Sequence, residues 1–298
     1  MSHQVPRKPA WLKRRLPSGP GFEKVRALID NCHLHTVCQE AKCPNIWECF
    51  SKETATFLIL GDRCTRNCRF CAVAHGPEGL PDPDEPDHVA SAVDQLKLAY
   101  VVITSVTRDD LLDGGADHFA KTIQAVRNRC PKVGIEVLIP DFQGNPDAWK
   151  IVLNSQPDVI NHNLETIQRL YPTVRPEADY NRSLDLIRYV AASDKDIVTK
   201  SGLMLGLGET REEVVTAFAD LFHVGCRILT LGQYLQPSQK HLAVARYVPP
   251  QEFEELKKIA LDIGFREVAA EPFVRSSYRA KELYGRVRGS EGDTGVQG

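Results

Sequence analysis

Six of the nine cysteines in this 298-residue chain form two groups of three near its amino end. The first triplet is Cys38, Cys43 and Cys49, and the second triplet is Cys64, Cys68 and Cys71. On a helix that turns about 100° per residue, Cys38 and Cys43 would point about 140° apart, so one helical face cannot present the first triplet. Thiolates bind zinc and iron–sulfur clusters, which commonly take four protein ligands. Each triplet therefore supplies all but one of the ligands of such a site.

Two metal sites are compatible with the second triplet. In the first interpretation the three thiols bind a structural zinc ion, and His75 supplies the fourth ligand. In the second interpretation they hold an iron–sulfur cubane and leave one iron open for a substrate or cofactor. The spacing of the cysteines alone does not choose between them.

The elements that position these thiols follow an alternating pattern after residue 53. Short β-branched runs predict strands at residues 54–60, 99–106, 133–139, 157–163, 196–205 and 226–233. Helical periodicity predicts helices at residues 87–98, 115–129, 181–193, 210–224 and 250–264. Strands that alternate with helices indicate βαβ units and a parallel sheet, either an open doubly wound sheet or a partial barrel. The second triplet directly follows the first predicted strand, at the edge where such folds place their chemistry.

The pattern divides the chain into four parts. Residues 1–53 form an N-terminal extension with the first triplet, and residues 54–235 form the α/β unit. Residues 236–280 form a C-terminal extension, and residues 281–298 are polar and rich in glycine, so we expect them to be disordered.

The second triplet resembles a known signature. A Cys-x3-Cys-x2-Cys run with an aromatic residue before its last cysteine, here Phe70, is similar to the motif of radical S-adenosylmethionine (SAM) enzymes. The resemblance implies a partial (β/α)6 barrel of the TIM type and a [4Fe–4S] cluster held by the second triplet. In that superfamily the open iron binds SAM, and electron transfer from the cluster yields a 5′-deoxyadenosyl radical that abstracts hydrogen.

The first triplet narrows the resemblance to the lipoyl synthase family. The family's sequence blocks resemble "EAKCPNIWECF", "TATFLILGDRCTRNCRFCAV", "VVITSVTRDDLLDGGADHF", "PDVINHNLETIQRLYPTVRP", "KSGLMLGLGET" and "FVRSSY", in this order. The resemblance implies that the first triplet holds an auxiliary [4Fe–4S] cluster whose last ligand is Ser277, with Ser276 as the alternative. It also implies insertion of two sulfur atoms from that cluster at carbons 6 and 8 of a protein-bound octanoyl-lysine.

Polar residues near the carboxyl ends of the predicted strands are the candidates for SAM binding. They are Thr107, Arg108, Asp109, Asn163, Glu165, Arg175 and Lys200. The competing interpretation is structural: the region around residue 113 caps a helix, and Arg175 forms a surface salt bridge instead of binding SAM. Beyond the cluster ligands, we predict no separate catalytic residue, because a cofactor must activate an aliphatic C–H bond.

The resemblance and the composition also predict partners. The expected substrates are octanoylated lipoyl-carrier domains of 2-oxoacid dehydrogenases or the glycine-cleavage H protein, with ferredoxin or flavodoxin as reductant. An iron–sulfur carrier is expected to rebuild the auxiliary cluster. A net charge of −2 and the lack of a long apolar run argue against nucleic-acid or membrane binding, and the expected location is the cytoplasm. The alternatives are another radical SAM enzyme, such as biotin synthase or an RNA methylthiotransferase, a zinc-stabilised binding module or a ferredoxin-like electron carrier.

Overall fold

The computed structural model describes residues 8–12, 20–31, 34–41, 43, 45–51, 56–76, 79–193 and 196–292. One sheet of eight strands organises them, in the order β1-β2-β5-β6-β7-β8-β9-β10. Its strands are β1 His35–Thr36, β2 Thr56–Ile59, β5 Tyr100–Ser105, β6 Gly134–Leu138, β7 Val159–Asn161, β8 Val198–Leu205, β9 Ile228–Gln233 and β10 Glu267–Ala270. All neighbouring strands are parallel except β1, which pairs antiparallel with β2. The predicted parallel α/β fold is therefore confirmed, with the six central strands where the sequence places them.

Helices follow the strands and cover the sheet. They are α1 Pro20–Asn31, α2 Val37–Glu40, α3 Ile46–Ser51, α4 Glu85–Gln95, α5 Ala116–Arg129, α6 Pro146–Asn154, α7 Tyr171–Val174, α8 Tyr180–Ala191, α9 Arg211–His223, α10 Pro250–Ile263 and α11 Ala280–Gly292. A capping box begins α9, since the Glu213 N–H donates to Thr210 Oγ1 at 3.3 Å and the Thr210 N–H to Glu213 Oε2 at 2.8 Å. In the described part of the chain, no helix has both the length and the apolar character to cross a bilayer.

A short two-stranded sheet interrupts the connection between β2 and α4. Its strands are β3 Arg63–Cys64 and β4 Ala74–His75, which pair in parallel with Cys64 opposite His75. The rest of the second triplet lies between these two strands. The triplet thus occupies the loop at the carboxyl end of β2, as predicted.

The C-terminal helix α11 corrects one expectation. We expected residues 281–298 to be disordered, but residues 280–292 form a helix, and residues 293–298 lie outside the described residues. Leu283 and Val287 are four residues apart on one helical face, and both are buried against the first residues of β7, β8 and β9. The helix therefore covers the amino ends of these strands. The polar and glycine-rich composition of the tail concealed this narrow apolar stripe.

Charged groups occupy the interior of the barrel above α11. The Lys200 ammonium lies 2.8 Å from Glu136 Oε1, and both side chains are at most 1% exposed. The Tyr100 hydroxyl donates to Glu136 Oε2 at 2.9 Å. A buried ion pair of this kind has to be fully hydrogen-bonded, because either charge alone would be costly to bury.

Candidate active site: two thiol triplets on one barrel

The three thiols of the second triplet are close neighbours. Burial raises the pKa of Cys68 to about 11; Arg175 opposes this shift, and the charges of Cys64 and Glu165 add to it. Burial also raises the pKa of Cys71 to about 12, with further contributions from Cys68 and Cys64. Cys64, Cys68 and Cys71 therefore lie close enough for the charge of one thiol to act on another. That donor set suits a thiolate-bound cluster.

Hydrogen bonds between loops fix the position of the second triplet. Thr65 donates to the carbonyl of Thr107 from its N–H and from its hydroxyl, both at 3.0 Å. The Thr107 N–H points at Cys64 Sγ, 3.3 Å away. Thr107, predicted to contact SAM, thus contacts the cysteine loop through its backbone. The carboxyl ends of β2 and β5 meet through these bonds.

Arg66, between the first two cysteines of the second triplet, joins the same loop to two carboxylates. Its Nε donates to Asp109 Oδ2 at 2.6 Å, and its Nη2 donates to Asp141 Oδ1 at 2.6 Å. Arg182 donates to the other oxygen of Asp141 at 2.7 Å. Burial would raise the pKa of Asp141, but the bond to Arg66 and the charges around it hold that pKa well below its usual range. Asp109, predicted to contact SAM, therefore supports the loop of the second triplet.

Asn163, Glu165 and Arg175, three of the predicted SAM contacts, lie together beyond the end of β7. Asn163 Nδ2 donates to Glu165 Oε1 at 2.9 Å, and Arg175 Nη1 donates to the Asn163 carbonyl at 2.8 Å. Asn163 Oδ1 and Arg175 Nε are buried and have no hydrogen-bond partner among the described residues. Buried polar atoms seldom remain unpaired, so this corner suits a polar ligand.

Glu165 is held in an unusual backbone conformation. Its φ of 66° lies in the left-handed region, which costs free energy for a residue with a Cβ. Its backbone still pairs with Leu203 of β8, with the Glu165 N–H donating to the Gly202 carbonyl at 2.9 Å. Burial raises the pKa of Glu165, whereas Arg175, Asn163 and Arg275 lower it. The side chain thus belongs to the same group as Asn163 and Arg175.

Two predicted SAM contacts have other partners in the structure. Arg108 is 1% exposed and binds Asp110 with two hydrogen bonds of 2.8 Å, while its Nη2 also donates to the Gly79 carbonyl at 2.8 Å. Lys200 pairs with Glu136 inside the barrel, as described above. The structure does not bring either side chain to the group around Glu165. Both predictions assumed that a polar residue near a strand end points at the ligand, whereas Arg108 binds the exposed carboxylate of Asp110 and Lys200 binds the buried carboxylate of Glu136.

The first triplet lies on α2, α3 and the turn between them. The Cys43 N–H donates to the Cys38 carbonyl at 3.1 Å, and Cys49 lies on α3. Burial raises the pKa of Cys38, and the charges of Cys43 and Cys49 add to the shift. These three thiols are therefore also neighbours, although they are spread over twelve positions of the sequence.

Two long-range hydrogen bonds join the first triplet to the C-terminal segment of residues 272–279. Asn45 Nδ2 donates to the Phe273 carbonyl at 2.7 Å, and the Tyr278 hydroxyl donates to Glu48 Oε1 at 3.2 Å. The segment fits against β9 because residue 232 is glycine: a Cβ there would lie 2.1 Å from the Val274 carbonyl oxygen. The segment that carries the first triplet and the C-terminal segment thus meet in the structure.

Ser276 and Ser277 point to different surroundings. Ser276 Oγ accepts a hydrogen bond of 2.6 Å from Asn163 Nδ2, in the group around Glu165. Ser277 instead lines a cavity of about 440 Å³ together with Cys49. Of the two serines, Ser277 shares its surroundings with the first triplet.

Reasoning from the sequence missed several residues that build these sites, above all Arg66, Asp141 and Glu136. Arg66 lies inside the cysteine motif itself, and Asp141 follows the third predicted strand, so their positions in the sequence could have identified both.

Among the described residues, no three His, Cys, Asp or Glu side chains are close enough to hold a single metal ion.

Two family models match the chain. The model described as the radical SAM superfamily matches residues 58–221, and the model of the N-terminal domain of lipoyl synthase matches residues 2–43. A lipoyl synthase of Desulfotalea psychrophila is 57% identical over 93% of this chain and 93% of its own length. A lipoyl synthase of Caldicellulosiruptor saccharolyticus is 54% identical over 93% of this chain and 97% of its own length.

Solved structures share the fold at low sequence identity. SuiB of Streptococcus suis, crystallised with S-adenosylmethionine, has a TM-score of 0.57 and 12% identity over 76% of this chain and 54% of its own. Methylornithine synthase has a TM-score of 0.52 and 11% identity over 89% of this chain and 85% of its own. These similarities support the partial barrel that the strand order indicates.

Proposed function

We propose roles for individual residues from the premise that this chain belongs to the lipoyl synthase family of radical SAM enzymes. The enzyme inserts two sulfur atoms at carbons 6 and 8 of a protein-bound octanoyl-lysine, using SAM and two [4Fe–4S] clusters. The family rules out a zinc-stabilised binding module and an electron carrier as its main role. Which residues hold each cofactor is our proposal.

In this proposal, Cys64, Cys68 and Cys71 hold the cluster that binds SAM. When bound, this pair of cofactors supplies the one-electron chemistry that removes hydrogen from an unactivated carbon. Arg66 keeps the cysteine loop in place through its carboxylate partners. Arg175 Nε and Asn163 Oδ1, the unpaired donor and acceptor, bind polar groups of SAM.

Cys38, Cys43, Cys49 and Ser277 hold the auxiliary cluster, which is the sulfur donor and is consumed. Ser277 is the better candidate for the last ligand, because the hydroxyl of Ser276 already accepts a hydrogen bond from Asn163. A serine oxygen is a harder ligand than a thiolate and binds iron of a sulfide cluster less strongly. It therefore suits a cluster that has to open. Residues 1–53 and 236–280 then act as two extensions that complete the barrel of residues 54–235.

One observation supports the assignment of Ser277 to the auxiliary cluster: the C-terminal segment contacts the first triplet. The Asn45–Phe273 and Glu48–Tyr278 hydrogen bonds bring the Ser277 segment to the first triplet, on the same barrel that carries the second triplet. A protein with both sites can activate a carbon and supply its sulfur.

The substrate is an octanoylated protein. We propose that it is a lipoyl-carrier domain or the H protein, that ferredoxin or flavodoxin is the reductant, and that an iron–sulfur carrier restores the cluster in the cytoplasm, where thiols stay reduced.

An anaerobic assay tests this function directly. The reconstituted protein is incubated with dithionite, SAM and an octanoyl-lysyl peptide, and the peptide is analysed by mass spectrometry. We expect a lipoyl-lysyl product with two added sulfur atoms, together with 5′-deoxyadenosine.

Two results would contradict the proposal in different ways. Absence of 5′-deoxyadenosine argues against SAM cleavage at the second triplet. Formation of 5′-deoxyadenosine without sulfur in the peptide, from protein that binds about eight irons per chain, argues against the auxiliary cluster as sulfur donor.

A further inference from the structure

The loop that follows β9 reaches back to the loop of the second triplet. The Leu242 N–H donates to the Arg69 carbonyl at 3.1 Å, and His241 Nε2 lies 2.9 Å from the Cys71 carbonyl oxygen, although Cys71 and His241 are 170 positions apart. In the sheet, four other strands separate β2 from β9. The two hydrogen bonds therefore join loops whose strands are not neighbours.

Hydrogen bonds at both ring nitrogens fix the orientation of His241. A carbonyl oxygen only accepts hydrogen bonds, so Nε2 carries a hydrogen and donates it to the Cys71 carbonyl. Nδ1 lies 2.8 Å from Ser238 Oγ, which also accepts the Lys240 N–H at 3.3 Å. In the neutral ring, Nδ1 accepts the hydrogen of the Ser238 hydroxyl. Ser238 thus favours the tautomer that donates from Nε2.

The backbone around His241 is held by side chains of its own loop. Gln236 Nε2 donates to the His241 carbonyl at 2.8 Å, and the Tyr234 hydroxyl donates to the Leu242 carbonyl at 2.7 Å. Tyr234 is 1% exposed, so its ring anchors the loop in the core. The imidazole therefore reaches Cys71 from a loop whose own hydrogen bonds fix its position.

The two ends of the second triplet are held by different loops. Cys64 lies beside Thr107, whose loop follows β5. Cys71, at the other end, accepts its hydrogen bond from the loop after β9. Three thiols bind one cluster only when their backbones keep them at fixed positions, and the bond to the Cys71 carbonyl fixes the last of them.

We propose that His241 is a positioning residue for the second triplet: its Nε2–H holds the Cys71 carbonyl, and with it the third thiol, in the place that a cluster requires. The inference rests on the proposed function, in which Cys64, Cys68 and Cys71 hold the cluster that binds SAM. Side chains that orient metal ligands without touching the metal typically contribute about 10- to 100-fold to metal affinity or activity. His241 acts here through the Cys71 backbone, and the role involves no proton transfer.

Two substitutions separate the hydrogen-bond donor from the ring. His241→Phe keeps a planar ring and removes the donor, whereas His241→Gln keeps an N–H donor at the end of a side chain of similar length. His223→Phe, at an exposed histidine of α9, is the matched control. All three are made in the Cys43→Ala protein, in which we expect the second triplet to hold the only cluster. Iron release to a ferrous chelator is measured together with the rate of 5′-deoxyadenosine formation.

We expect His241→Phe to release iron about tenfold faster than the Cys43→Ala parent and to form 5′-deoxyadenosine more slowly. His241→Gln should restore most of both rates, because it restores the donor, and His223→Phe should match the parent. Equal iron release from the parent and His241→Phe, or the same damage in both His241 variants, would overturn the role.

A second variant covers the case in which His241→Phe does not fold. Ser238→Ala removes the partner of Nδ1 and should still speed iron release, and an unchanged rate would overturn the role likewise. A Cys43→Ala parent that holds no iron would instead contradict the proposed function.

Discussion

The two thiol triplets are built in different ways on one barrel. The second triplet occupies a loop that bonds to the adjacent loops, chiefly through Arg66 with Asp109 and Asp141. The first triplet lies on short helices, and its contacts to the C-terminal segment join residues 228 and 230 positions apart. In the proposed assignment, the first site is complete only when the C-terminal segment meets the first triplet, whereas the thiols of the second site come from one loop that bonds to neighbouring βα loops.

The kinds of contact differ as well. Breaking a buried charge pair such as Arg66–Asp141 typically costs about 3–5 kcal/mol, because a charge is left without its partner. The bonds that join the chain ends are ordinary hydrogen bonds, each worth about 0.5–1.5 kcal/mol net. We therefore expect the SAM site to be robust and the auxiliary site to be the first to open. Such an arrangement suits a cluster that is taken apart in the reaction.

The largest expected effect separates the two sites completely. Cys43→Ala should abolish the lipoyl product, while SAM cleavage persists, because only the auxiliary cluster loses a thiolate. Iron analysis should fall from about eight to about four irons per chain. The control is Cys130→Ala, which lies outside both triplets and should leave both readouts unchanged. Loss of SAM cleavage in the Cys43 variant would show that the two sites are not independent.

Removal of Arg66 should damage the second site and the fold together. Arg66→Ala leaves Asp141, which is buried, without one of its two arginine partners, so urea unfolding should show a loss of about 4 kcal/mol. Arg188→Ala breaks an exposed pair with Asp185 and should cost less than about 1 kcal/mol. Equal losses in the two variants would mean that the network around Arg66 contributes little.

Shortening a buried side chain of α11 should affect the first site more than the second. Leu283 is buried under the barrel, so Leu283→Ala should cost about 3 kcal/mol of unfolding free energy. Because α11 continues the Ser277 segment, the variant should also lose auxiliary iron faster to a ferrous chelator. Arg286→Ala, on the exposed face of the same helix, is the control. Equal iron loss from both clusters would contradict the proposed difference.

The smallest effect is a pH dependence from Asp141. Its folded-state pKa is depressed, so its contribution to stability is present above the unfolded pKa of about 3.9 and is lost as the pH falls towards the folded pKa. Between pH 5 and pH 3, cluster-free protein should lose about 1 kcal/mol from this group. Urea unfolding of Asp141→Asn should show a drop smaller by that amount. An identical drop in the variant and the unmodified protein would exclude Asp141 as the source.

The sequence predicted the central fold well because its signals are local. Runs of β-branched residues predicted all six central strands, and helical periodicity over residues 210–224 predicted α9. The flanking strands β1 and β10 were missed, since β1 has only two residues and β10 contains a single β-branched residue, Val268. The helix α11 was missed because Leu283 and Val287 are the only large apolar residues among its buried described positions.

By itself, the sequence determined the two thiol sets, the alternation of strands and helices, and the membership of the family. These properties depend on residue types and on short spacings along the chain. Only the tertiary structure decided that Arg108 binds Asp110 and Lys200 the buried Glu136, and that Ser276 accepts a hydrogen bond from Asn163 while Ser277 lines a cavity with Cys49. The physical reason is that a polar side chain takes the partner that folding brings to it. That partner can lie more than a hundred residues away, where no local pattern indicates it.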